Sequence, residues 1–242
     1  IETMAKKLEE ASLLPAKIVK NQVFGKQFHT ICSGGAYLDP KYIDMFKKYD
    51  IVIQQGYGMT ECAPVISISQ RWNIRSDSVG QLVPNCQAKT VDGELWVKGS
   101  SVMQGYYKMP QETAETLEDG WLKTGDLGYV DEEGFVYLTG RKKNLIITKN
   151  GENVSPEELE NALSGNRLVG EVLVREKGGV IEAEIYPDQD YVKKKRVKDV
   201  RAALQEVIDE YNRTAAPQKK IYSLVVRDKE FEKTTTKKIK RF

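Results

Sequence analysis

Gln54–Glu61 reads QQGYGMTE and follows directly on the apolar run Asp50-Ile51-Val52-Ile53. A buried strand, a glycine-hinged loop and then a hydroxyl and a carboxylate predict the strand-end crevice of an open α/β sheet, a geometry suited to a nucleotide. Gly56 and Gly58 let backbone approach a ligand closely. Tyr57 offers a flat ring for a base, Thr60 a hydroxyl for a phosphate, and Glu61 a hard oxygen for Mg²⁺. Taken alone, the run also suits a plain turn after a buried strand.

Around this stretch, Asp39-Pro40 predicts an N-cap followed by proline at the first helical position, with a helix through Tyr42, Ile43, Phe46 and Lys48. Helix, short loop and strand repeat the cadence of a doubly wound sheet, assigned to residues 1–78. From 79 to 139 short alternating runs take over, such as Leu95 and Val97 against Glu94 and Lys98, with Asp92-Gly93 and Glu133-Gly134 as turns. These predict a small β-rich barrel or sheet completing the first domain, 1–139. Residues 140–144 form a charged seam and are expected to be a hinge. The remainder, 145–242, predicts a small α+β domain of order α-β-β-α-β. Its first helix is expected to open with a capping box built from Ser155, Pro156 and Glu158. Strands Glu171–Arg175 and Ile181–Tyr186 flank the turn at Lys177-Gly178-Gly179. An amphipathic helix through Val197, Val200, Leu204, Val207, Ile208 and Tyr211 is expected to be opened by the basic run Lys193–Lys195, and Ile221–Val226 is the last strand.

The composition narrows the classes. With 242 residues, 40% hydrophobic and 30% charged, the chain reads as one or two globular domains. A net charge of +2 leaves no electrostatic footprint for nucleic acid. No apolar run is long enough to span a membrane. Cys32, Cys62 and Cys86 lack Cys-x-x-Cys spacing and read as free thiols of a reducing compartment, so a cytoplasmic location is expected. His29, the single histidine, reads as a structural or pocket-lining residue, and Trp121 as a core residue.

Four further segments occur in order with YGMTE: SGGAYLDP at Ser33–Pro40, GWLKTGDLG at Gly120–Gly128, GRKKNLIITKNGENVSPEELE at Gly140–Glu160 and KTTTKKIKR at Lys233–Arg241. The set resembles the adenylate-forming acyl-CoA synthetases, the AMP-binding enzymes. The SGGA-x-LDP and GENVSPEELE wordings are most similar to the long-chain fatty acid–CoA ligase branch.

The resemblance implies ATP, Mg²⁺ and CoA as reactants and a fatty or other carboxylic acid as substrate. The acid is activated as acyl-AMP and then passed to CoA. It implies a large domain, a doubly wound sheet plus a small β-barrel, followed by a small mobile α+β domain. Lys238, Thr60 and Glu61 take the catalytic places, Glu61 holding the metal. Gly34, Gly35, Ala36, Tyr57, Gly58, Asp126 and Arg141 line the nucleotide. Within that set Asp126 and Arg141 take the ribose, a carboxylate matching its two hydroxyls. Lys143 stands at the hinge, and Gly151 lets the pantetheine arm of CoA pass close to backbone.

Two positions depart from the family pattern: Lys237 stands where Gly is usual, and Glu232 where Pro is usual. The family's Ser/Thr/Gly-rich phosphate loop is not found between Ile1 and Ser33, and the chain opens without Met in what reads as mid-helix. The carboxy-terminal half of a ligase is therefore expected, inactive alone. An amino-acid-activating domain that loads a carrier protein, or a nucleotide-binding fragment without turnover, are the other readings. Fatty-acid ligases also permit peripheral membrane contact.

Overall fold

The structure, a computed structural model, describes residues 1–10, 15–234 and 239–241. The chain divides into two compact units, Ile1–Leu138 and Thr139–Phe242.

The first unit begins with helices α1 (Glu2–Glu10) and α2 (Ala16–Val23), strand β1 (Thr30–Gly34), helix α3 (Pro40–Lys47), and strands β2 (Val52–Gly58), β3 (Val65–Ile68) and β4 (Gln81–Leu82). The sheet runs β1-β2-β3-β4, with β1 parallel to β2 and the other pairs antiparallel. Asp39 caps α3 by accepting from Lys41 N–H at 2.9 Å, with Pro40 at the first position. This tight start aims Ile43 and Phe46 at Ile51, Ile53, Leu8 and Val19 in one buried cluster. Each such side chain contributes about 1.5–3 kcal/mol by leaving water.

The glycine-rich run was expected to be loop, and it is strand. β2 continues to Gly58, because residues 30–34 pair rung by rung with 52–56 and β3 pairs on the other side. Glycine in a strand marks close backbone approach. A Cβ at Gly34 would lie 2.9 Å from the Gly56 carbonyl oxygen, and one at Gly58 would lie 1.8 Å from that of Pro64.

The unit continues with β5 (Cys86–Val91), β6 (Glu94–Gly99), α4 (Pro110–Thr116), β7 (Leu117–Glu118), β8 (Trp121–Val130) and β9 (Val136–Arg141), which runs across the division. β5-β6-β8-β7 form an antiparallel path with β9 on β8, a half-barrel rather than a closed one. Asp92 and Gly93, at φ 49° and 80°, make the predicted turn between β5 and β6. Leu95, Val97, Leu122 and Val136 bury against Tyr57, Cys62 and Ile66, so this sheet packs on the end of β2. Trp121 is not core. It is half-buried at the rim, with the ammonium groups of Lys89 and Lys98 4.4 and 5.8 Å from its ring centre, where a charge keeps its water.

The second unit holds β10 (Ile146–Ile147), β11 (Asn153–Val154), α5 (Pro156–Ser164), β12 (Val169–Lys177), β13 (Val180–Pro187), α6 (Gln189–Lys195), α7 (Val200–Thr214) and β14 (Ser223–Val226). β12 and β13 form a hairpin closed by Gly178-Gly179, both at positive φ, and β14 lies parallel to β13. Alternation along β13 sends Ile181, Ala183 and Ile185 into the core with Leu159, Leu163, Leu204 and Ile208. The intervening Glu182 and Glu184 pair with Arg175. Lys177 and Arg227 join the same ionic face.

Three local expectations are corrected in this unit. The capping box does not form: the Ser155 hydroxyl donates to the Glu157 carboxylate at 3.0 Å, a charge-assisted bond, and Glu158 is drawn to Lys219 at 2.7 Å. Lys193–Lys195 close a separate helix, α6, where cations favour the carbonyl end. Arg196 breaks that helix in left-handed geometry, and Asp199 starts α7 three residues later, leaving Val197 outside it.

One largely buried carboxylate, Glu160, gives this unit a pH dependence. Glu160 accepts from Val174 N–H at 2.7 Å and from the Arg241 guanidinium at 2.5 Å, which Glu157 also holds at 3.2 Å. Burial outweighs the arginine and pushes the carboxyl up from 4.5 to about 7. The folded state therefore holds the proton more tightly than the unfolded chain. Glu160's contribution to stability is complete below about pH 4.5 and is lost as pH rises through about 7. At about 1.4 kcal/mol per pH unit that window is worth about 3 kcal/mol. In urea unfolding at pH 5 and pH 8, the wild type is expected to lose about that much more stability than Glu160→Gln. Equal losses would refute the assignment.

Candidate functional site

At the end of β2 two of the predicted residues of the first unit, Tyr57 and Asp126, meet. Tyr57 faces inward, 9% exposed, between Cys62 and Ile66, and its hydroxyl donates to Asp126 Oδ2 at 2.7 Å. Asp126, 5% exposed, comes from the middle of β8. It is reached through a short relay: Asp126 N–H donates to Thr124 Oγ1 at 3.1 Å, and that hydroxyl donates to the Leu95 carbonyl at 2.6 Å. Gly125, at φ 70°, donates its N–H to Glu94 Oε1 at 2.9 Å. The left-handed residue and these three side-chain bonds set Asp126 against Tyr57.

Thr60 and Glu61 form a one-turn 3-10 segment, Thr60–Cys62, just beyond β2. Cys62 plugs it into the core, 4.0 Å from Cys86 Sγ and 3.4 Å from Ser101 Oγ. Burial holds the Cys62 thiol above its ordinary value, so it is a packed, protonated group. All three cysteines are free thiols. Thr60 is exposed. Glu61 Oε1 accepts from the Tyr106 hydroxyl at 2.9 Å, and Glu61 Oε2 has no partner among the described residues. Burial, then the hydrogen bond to Glu61, raises the Tyr106 pKa, so that phenol stays protonated.

A Mg²⁺ ion fits this donor set. Among the described residues no three His, Cys, Asp or Glu side chains cluster as a metal cage. Mg²⁺ does not need one, because it binds through one or two carboxylates plus phosphate oxygens and water. One half-exposed carboxylate beside an exposed threonine hydroxyl is that arrangement.

Gly34 ends β1 one strand over and Gly35 follows it, both exposed together with Ala36, and Gly34 sits on the same rung as Gly56. In the second unit, Arg141 ends β9 and Lys143 lies exposed in a 3-10 turn, Lys142–Asn144. Gly151, at φ 78°, turns the chain between β10 and β11 with open space where a Cβ would be. Lys238, and Lys237 before it, lie outside the described residues. His29 accepts from the buried Lys20 ammonium at 3.0 Å through Nδ1, and Lys20 also bonds Asp50, a structural tie between α2 and the start of β2.

Tyr106 escaped the sequence reading. It lies 45 residues from Glu61, and no spacing rule links them. The signal present was Gly105-Tyr106-Tyr107, read only as part of a β-rich stretch.

Residues 2–107 match the family model described as AMP-binding enzyme, and residues 143–242 match the AMP-binding enzyme C-terminal domain. The chain belongs to the AMP-binding enzyme family. Among its relatives, the long-chain-fatty-acid–CoA ligase FadD15 of Mycobacterium bovis is 41% identical over 143 residues, covering 59% of this chain and 24% of that protein. The 4-coumarate–CoA ligase-like 4 of Oryza sativa subsp. japonica is 37% identical over 217 residues, covering 81% of this chain and 38% of that protein. The solved o-succinylbenzoate CoA synthetase of Bacillus subtilis, in complex with the acyl-adenylate intermediate, has a TM-score of 0.74 and 29% identity, over 87% of this chain and 44% of that one. The same synthetase has also been solved with ATP and a magnesium ion. This AMP-binding chain thus spans less than half the length of the relatives it matches. Among the described residues no helix is long and apolar enough to cross a membrane.

Proposed function

We propose that the protein to which this AMP-binding chain belongs is an acid–CoA ligase. It activates a carboxylic acid with ATP as acyl-AMP and transfers the acyl group to CoA, and the acid is a long-chain fatty acid. One observation carries the reading: the 2.7 Å bond from Tyr57 to Asp126 joins the YGMTE and TGD segments, 69 residues apart, beside Thr60 and Glu61. A carboxylate accepts up to about four hydrogen bonds, so Asp126 can take ribose hydroxyls while retaining Tyr57. The base lies along Tyr57 and the Gly34-Gly35-Ala36 backbone. Thr60 donates to the α-phosphate, and Glu61 orients the cation that neutralises the phosphate charge when bound. Arg141 is the second ribose contact. Lys143 is the pivot between half-reactions, Gly151 borders the path of the CoA arm, and Lys238 bridges the acyl carboxylate and the phosphate.

The fatty substrate rests on the relatives' names and the GENVSPEELE wording. The coumarate-like and o-succinylbenzoate relatives make aryl acids the competing class. The test is carboxylate-dependent ATP–pyrophosphate exchange by the full-length protein with palmitate, 4-coumarate or o-succinylbenzoate. Exchange with palmitate, and an ATP KM raised tenfold or more in Asp126→Ala, is expected. Exchange with an aryl acid alone overturns the substrate, and an unchanged KM overturns the site.

A further inference from the structure

Glu61 has little of its own to hold it. It lies on a single 3-10 turn that ends at Ala63 in left-handed geometry, φ 48°, and its side chain is half-exposed. A carboxylate there samples several rotamers unless something outside the turn fixes it.

The chain after β6 supplies that. Met103 N–H donates to the Glu61 carbonyl at 2.8 Å, and the Tyr106 hydroxyl donates to Glu61 Oε1 at 2.9 Å. Tyr106 is itself held from behind: its N–H donates to Thr113 Oγ1 at 2.9 Å, and that hydroxyl donates to the Met109 carbonyl at 2.7 Å. Gly105 makes the approach feasible, since a Cβ there would lie 2.7 Å from Thr113 Cγ2.

The donor's chemistry matters as much as its place. A lysine or arginine at this position would neutralise the carboxylate and repel a cation, whereas a phenol fixes one oxygen and leaves the charge in place. Ordering a metal-binding carboxylate by a hydrogen bond to its other oxygen is a recognised way to tune affinity.

We propose that Tyr106 is a positioning residue for the metal site: by holding Glu61 Oε1 it presents Oε2 to the divalent cation that accompanies ATP. The proposal rests on the reading of Glu61 as the metal's carboxylate, and the experiment separates the two. Mn²⁺ binding to the full-length protein in the presence of ATP is followed by the electron paramagnetic resonance of free Mn²⁺, for wild type, Tyr106→Phe and Glu61→Gln. Tyr106→Phe keeps the ring and its packing, and its melting temperature is expected to match wild type. Mn²⁺ affinity is expected to fall about tenfold in Tyr106→Phe and further in Glu61→Gln. Metal-free binding of ATP is expected to be unchanged in Tyr106→Phe, which removes no charge. Thr113→Val, which loosens Tyr106 from behind, is expected to lower affinity in the same direction by less. If Glu61→Gln binds Mn²⁺ like wild type, the metal reading fails and the proposal falls with it. If Glu61→Gln is impaired while Tyr106→Phe is not, the metal reading survives and the role of Tyr106 is overturned.

Discussion

Alanine at Gly58 is expected to destabilise the first unit by about 3 kcal/mol or more and to abolish adenylation with it. The added methyl would lie 1.8 Å from the Pro64 carbonyl oxygen and 2.7 Å from its carbon, and both are backbone. No rotamer change relieves this. The Pro64 carbonyl also accepts from Met59 N–H at 2.8 Å, so pushing it away opens the β2–β3 connection where Thr60 and Glu61 sit. Gly56→Ala is the control. Its Cβ would meet only the Ser67 carbonyl at 3.7 Å, an ordinary contact, and a change within about 1 kcal/mol is expected. Urea midpoints decide. If both variants fall equally, generic strand effects rather than the collision set the cost.

Lys238→Ala is expected to slow carboxylate-dependent pyrophosphate exchange a hundredfold or more, about 3 kcal/mol of transition-state stabilisation. Attack at the α-phosphate crowds negative charge at one centre. A compact ammonium on a flexible stem can neutralise that charge as it forms. Thioester formation from a supplied acyl adenylate is expected to change far less. Because Lys237 replaces the usual glycine, Lys237→Ala is the necessary comparison. A loss confined to Lys237→Ala would move the role one residue back, and no loss in either would remove this tail from the chemistry.

Much of the architecture was legible in residues that have few alternatives. Asp39-Pro40 favours a helix start, and Gly178-Gly179 between alternating runs favours a hairpin turn, and both form. The failures came where distant partners overrule local preference. Gly56 and Gly58 look like loop until β1 and β3 are placed on either side. Ser155 and Glu158 match a capping box, yet charged partners at Glu157 and Lys219 draw both away. Within the site, the sequence pointed to Tyr57 and Asp126 through the phrasing of their segments, and the structure joins them. Tyr106 had no such phrasing. Its relation to Glu61 exists only once the chain after β6 has folded back.

The bond between Tyr57 and Asp126 also decides how this chain tolerates being divided. A break in the connection between β4 and β5, at residues 83–85, leaves the two side chains on separate polypeptides, one with the β2 sheet and one with the half-barrel. Reassociation would restore both at once, because the half-barrel closes over β2 through the same buried cluster that contains Tyr57. Recovery of nucleotide affinity on mixing two such pieces would therefore report docking of the sheets, without any label on either.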